Sequence, residues 1–174
     1  MRVQTSVVSR VTHRFDNAEV TEFTQSVLET WKPNGKPILF VPCSKKKPIQ
    51  QSHSHKQMFH RFEEKAQILI ISEPMTIIPY DRFDYPHYDY PPMALWKIEG
   101  EADKFTARLG QFLSLKRLNE LNCYFMLPHH HLLILWKAWK KVFGNLVNLD
   151  GYAYSQATRW FFIQKLEESL NQSG

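Results

Sequence analysis

The sequence predicts an α/β domain with a mostly parallel sheet of about four strands and helices on both faces. Three observations carry that expectation. Short continuous apolar runs at 38–41, 68–71 and 123–127 have the look of strands covered on both sides. Segments of helical period alternate with them, and parallel strands need such crossovers. No internal repeat and no Gly/Ser/Pro linker divides the 174 residues, so a single domain over 1–174 is expected, with 1–15 as an N-terminal arm. At 43% hydrophobic and 22% charged residues the composition is that of an ordinary globular protein, which excludes a disordered tail or a fibre.

The elements follow in order. Residues 3–11 are β-prone but irregular. Asp16 followed by Glu19 resembles a capping box, and Val20, Phe23, Val27, Leu28 and Trp31 then recur at helical spacing. Pro33, Asn34 and Gly35 break that helix before strand 38–41, which Pro42 stops. A polar stretch, 43–52, leads into a helix over 54–65 with Met58, Phe59 and Phe62 on one side. The second strand, 68–71, is interrupted by Ser72-Glu73-Pro74, and a Tyr/Pro/Asp-rich loop over 79–92 follows. A helix over 102–118, a strand over 123–127 ended by Pro128, a helix over 129–143, a strand over 146–149 and a helix over 155–170 complete the chain.

Ligands of open α/β sheets bind beyond the carboxyl ends of the strands. Four chain positions therefore matter: Pro42-Cys43-Ser44, Ser72-Glu73-Pro74, Pro128-His129-His130 and Asp150-Gly151-Tyr152. Cys43 falls at this edge and Cys123 at the opposite end of its strand, so the two thiols are not expected to pair. Two cysteines are too few for a disulfide scaffold. No apolar run is long enough to span a bilayer and the N-terminus lacks a signal pattern, which reads as a soluble, cytoplasmic protein.

The segment from Pro42 to His55 concentrates chemistry. A thiol becomes nucleophilic where positive charge or a helix N-terminus stabilises the thiolate, and Lys45, Lys46 and Lys47 follow Cys43 closely, with His53 and His55 available to move protons. The other reading makes Cys43 a small buried residue, the lysines a solvated loop and Ser54 a helix cap. The spacing Pro-Cys, three residues, Lys-Pro, three residues, Ser, one residue, Ser-His resembles the signature of the archaeosine synthase family, related to the archaeal tRNA-guanine transglycosylases. Ser72-Glu73-Pro74-Met75-Thr76-Ile77-Ile78-Pro79 and Tyr85-Pro86-His87-Tyr88-Asp89-Tyr90-Pro91 resemble two further stretches of that family. Two positions depart from it: Ile49 stands where the family usually has Tyr, and Glu73 lies in a stretch that is commonly Ser-Pro-Leu-Gly.

The resemblance implies a uracil-DNA glycosylase-like, three-layer fold. It also implies addition of an amine, lysine in the better understood members, to the nitrile of 7-cyano-7-deazaguanine in tRNA, with a radical SAM partner enzyme completing the conversion in some of them. On it, Cys43, His55 and Asp89 are the catalytic candidates, and Lys47, Ser52, Ser54, Glu73, His87 and Tyr88 line the substrate site. Cys43 either forms a transient thioimidate or merely orients the nitrile for direct attack by the amine. Neither route calls for a metal or redox cofactor.

Weaker signals surround this core. His129-His130-His131 starts a helix without the i, i+4 spacing of a helical zinc site, so no metal is assigned. Lys45, Lys46, Lys137, Lys140 and Lys141 are the candidates to meet RNA phosphate, within a formal net charge of +5. Trp136 and Trp139 read as core residues of an amphipathic helix. Tyr80, Tyr85, Tyr88 and Tyr90 suit either base stacking or loop packing. The competing class is a non-catalytic RNA-binding or assembly subunit. Either way the chain is expected to need a partner such as a separate RNA-binding subunit, a homo-oligomer or its own basic surface to hold tRNA.

Overall fold

The structure is a computed structural model that describes residues 14–44, 46–87, 94–153, 155 and 158–172. The expected arm over 1–15 lies almost wholly outside the described residues, as do Lys45, Tyr88, Asp89 and Tyr90. Five strands form one sheet, β1 (Ile38–Pro42), β2 (Gln67–Ser72), β3 (Thr76–Pro79), β4 (Cys123–Leu127) and β5 (Leu149–Ala153), in the order β3-β2-β1-β4-β5. Four of them run parallel and β3 is antiparallel to β2.

Two expectations are corrected here. The fifth strand is β3: Glu73-Pro74-Met75 turns the chain back on itself, so a stretch to which the sequence assigned no element pairs Ser72 with Thr76 and Ile70 with Ile78. The last strand lies three residues later than expected. Gly151 sits opposite Phe125, where an added Cβ would come within 2.0 Å of the Phe125 carbonyl oxygen, so only glycine lets the two backbones approach.

The helices are α1 (Ala18–Thr30), α2 (His53–Phe62), the single turn α3 (Ala94–Lys97), α4 (Glu101–Leu115), α5 (His129–Phe143) and α6 (Arg159–Gln172). Local capping differs from expectation at two of them. Asn17, not Asp16, caps α1 by accepting from the Glu19 N–H at 3.0 Å, while Asp16 pairs with Lys104 and Arg108. Ser52, not Ser54, caps α2.

Right-handed crossovers put α2 on one face, because β1 to β2 runs one way across the sheet. They put α4 and α5 on the other, because β2 to β4 and β4 to β5 run the opposite way. The packing agrees, since α4 rests on α5 and α2 on α6. The chain therefore forms three layers around one apolar core, with all of β1 buried. Because the order reverses at β1, the crevice beyond β1 and β4 is the topological switch point, where such sheets bind ligands. Among the described residues no helix is long and apolar enough to cross a membrane.

Candidate active site

Three strand ends converge at that crevice. Cys43 follows β1, held by its N–H to the Ile71 carbonyl at 3.0 Å; Glu73 follows β2; His131 lies in the first turn of α5, just after β4. The His131 Nε2 lies 2.9 and 3.0 Å from the two Glu73 carboxylate oxygens, and the Cys43 thiol points at the same carboxylate, 3.8 Å from Oε2. Glu73 and His131 are buried and Cys43 is partly open, so the thiol is the member of the three that is accessible from outside.

Electrostatics make this pair ionic. Burial opposes a charged His131, but Glu73 and the neighbouring Cys43 lift its pKa to about 10. Burial would likewise raise the Glu73 carboxyl, yet the contact with His131, with His130 behind it, holds it below the usual carboxylate value. His130 stands 3.9 Å from Glu73 and is itself pushed towards neutrality by burial and by its neighbour. A buried imidazolium–carboxylate pair thus sits beside the thiol, placed to exchange a proton with it. The ligand atoms of Cys43, Glu73 and His131 all lie within 4.8 Å of one another, a span that a divalent cation also fits. Such an ion would have to replace the His131–Glu73 hydrogen bonds.

His55 occupies a different place from the one its spacing suggested. Its Nε2–H donates to the Pro42 carbonyl at 2.6 Å, and its Nδ1 accepts from the Ser52 hydroxyl at 2.6 Å. Ser52 in turn accepts the His55 backbone N–H at 3.3 Å as the cap of α2. Burial first, then Lys47 and Arg159, lower the His55 pKa to about 4, so the ring is neutral with both nitrogens engaged. It clamps the residue before Cys43 and has no nitrogen left for substrate.

The remaining candidates divide. Lys47 donates from Nζ to the Ser44 carbonyl at 2.9 Å, and its charge reaches the exposed His87, whose pKa partial burial and Lys47 lower. Ser54 is 3.5 Å from Ser52 and belongs to the capping group. Lys46, Lys137, Lys140 and Lys141 are exposed, and Lys137 lies 5.9 Å from the centre of the Trp96 ring. Trp139 is fully buried and Trp136 packs against the core, as the helical pattern implied. Tyr80 stacks on Phe59 at 4.1 Å and Tyr85 accepts the Ile49 N–H at 2.6 Å while donating to Gln50, so these two brace the loop.

His131 is the functional residue that the sequence reading passed over. Adjacent histidines splay on a helix: His129 is exposed, His130 is half-buried and His131 is fully buried; position after β4 at the switch point was the signal that marked it.

Residues 20–135 match the family described as a domain of unknown function, DUF5591. The chain is 30% identical over 132 residues to the archaeosine synthase of Methanocaldococcus jannaschii, a match covering 72% of this chain and 22% of that protein. It is also 30% identical over 78 residues to the archaeosine synthase of Haloferax volcanii, covering 42% of this chain and 13% of that protein. It spans less than a quarter of either relative. Among solved structures, the crystal structure of AF0587, a protein of unknown function, shares the fold with a TM-score of 0.60 at 19% identity, over 85% of this chain and 49% of that one.

Proposed function

This chain belongs to the DUF5591 domain family, and on that premise we propose that it acts in archaeosine formation on tRNA, adding an amine to the nitrile of 7-cyano-7-deazaguanine. The observation that carries the reading is a partly open thiol next to a buried imidazolium–carboxylate pair at the switch point. A nitrile carbon needs a nucleophile, and its nitrogen needs a proton. The thiol proton passes to the Glu73–His131 pair, the Cys43 sulfur bonds to the nitrile carbon, and the same pair returns a proton to the nitrogen. The sum is addition of S–H across one π bond of the nitrile, giving a thioimidate. An amine, lysine by the family resemblance, then attacks that carbon. The C–S bond breaks, the amine proton goes back to sulfur, and an amidine remains.

His55 and Ser52 are positioning residues in this scheme, because they fix the backbone before Cys43. The test is to incubate the chain with tRNA carrying 7-cyano-7-deazaguanine and lysine, with the partner domains supplied in trans, and to weigh the nucleoside. A mass increase of one lysine is expected. Without amine, a protein–RNA adduct is expected from the parent and none from Cys43→Ala. Lysine addition by Cys43→Ala at the parental rate would overturn the covalent route. The absence of any adduct would favour the non-catalytic subunit.

A further inference from the structure

A second feature lies outside the thiol site. Lys56, Gln57, His60, Arg61 and Trp160 line an open groove of about 490 Å³ between α2 and α6. Among the described residues its lining is cationic and aromatic. The guanidiniums of Arg61 and Arg159 lie 5.8 and 5.3 Å from the centre of the Trp160 ring, which is 40% exposed. The next residue, Phe161, is 58% exposed with the Lys165 ammonium 5.7 Å from its ring. Glu167 pairs with Arg61 and Lys65 at 3.5 and 3.2 Å, and Glu168 with Lys165 at 3.6 Å. Gln57 spends its amide N–H on His53 at 2.8 Å, while its Oε1 and the Arg159 Nε have no hydrogen-bond partner among the described residues.

Both helices that wall the groove start at the edge of the sheet that holds the thiol site. Its first wall is α2, whose N-terminal turn is tied through His55 to the Pro42 carbonyl beside Cys43. Its second is the start of α6, which follows the carboxyl end of β5 at the same edge of the sheet. Arg159 is near enough for its charge to bear on His55.

We propose that this groove binds the single-stranded RNA that flanks the base presented to Cys43, with Trp160 and the guanidiniums stacking on an unpaired base and Lys56 and Arg61 meeting phosphate. The assignment of RNA as the ligand rests on the reading of the thiol site given above. Cations set over exposed rings suit a polyanion with flat apolar bases. An attacked base must be drawn out of its stack, so the nucleotides beside it need a surface close to the thiol.

The test measures the affinity of the full chain for a tRNA transcript across salt concentrations. Trp160→Ala is expected to weaken binding about 10–100-fold, with Trp160→Phe recovering most of the loss. Arg61→Gln with Arg159→Gln is expected to lower the slope of log affinity against log salt by about one to two. Circular dichroism checks that each variant is folded. No measurable tRNA binding by the parent, or parental affinity in both groove variants, would overturn the proposal. So would a parent that dimerises where Trp160→Ala is monomeric, which would make the groove a self-contact. A missing lysine adduct alongside groove-dependent binding removes the chemistry and leaves the groove.

Discussion

At the scale of single residues, environment decides what each candidate can do. The two thiols show this. Cys43 is partly open and shares a carboxylate with an imidazolium, whereas Cys123 is buried with its pKa pushed up to about 12 by desolvation and its S–H donated to the Leu118 carbonyl at 3.3 Å. Iodoacetamide at neutral pH should therefore label Cys43 well ahead of Cys123, because alkylation follows thiolate and access. Mass spectrometry of tryptic peptides reads the ratio, and equal labelling would show that the thiol edge is not selectively reactive. Position of these cysteines was legible in the sequence, since each could be placed at one end or the other of an apolar run. The division of labour among the histidines was not. His55 has the motif spacing yet is locked by Ser52 and Pro42, and His131 lacks a motif yet meets Glu73, because side-chain direction depends on helix phase relative to the sheet.

At the scale of elements, the apolar runs at 38–42, 67–72 and 123–127 were readable because strands covered on both faces leave no alternation to confuse. The edge strands were harder. β3 has four residues and hides behind a turn, and β5 is half-exposed with a glycine and an aspartate inside it, residues that usually mark loops. What holds β5 in place is closeness to Phe125 rather than its own propensity. Gly151→Ala should thus cost at least about 2 kcal/mol, since the new Cβ would strike backbone atoms that cannot step aside. Thermal unfolding checks this. An unchanged midpoint would mean that β5 does not need its register against β4. Because α6 follows β5, the same variant should also loosen the groove at Trp160 and weaken tRNA binding.

At the scale of the whole molecule, two histidines with opposite shifts give the fold a stability maximum in pH. Between about 4 and 6.5 the unfolded chain protonates His55 while the folded chain keeps it neutral, so stability falls as pH drops through that window. That limb amounts to on the order of 3 kcal/mol at 1.36 kcal/mol per pKa unit. Between 6.5 and about 10 the folded chain keeps His131 protonated after the unfolded chain has lost that proton, so stability falls as pH rises. Glu73, held below its usual value, adds a further loss below about 4.5. Urea midpoints should therefore peak near pH 6.5. His55→Gln should flatten the acid limb by removing its titrating ring, and Glu73→Gln should flatten the alkaline one by removing the charge that sustains the His131 proton. A midpoint that climbs steadily from pH 6.5 to 9.5 would show that the His131–Glu73 ion pair does not form, and with it would go the proton source assigned to the thiol site.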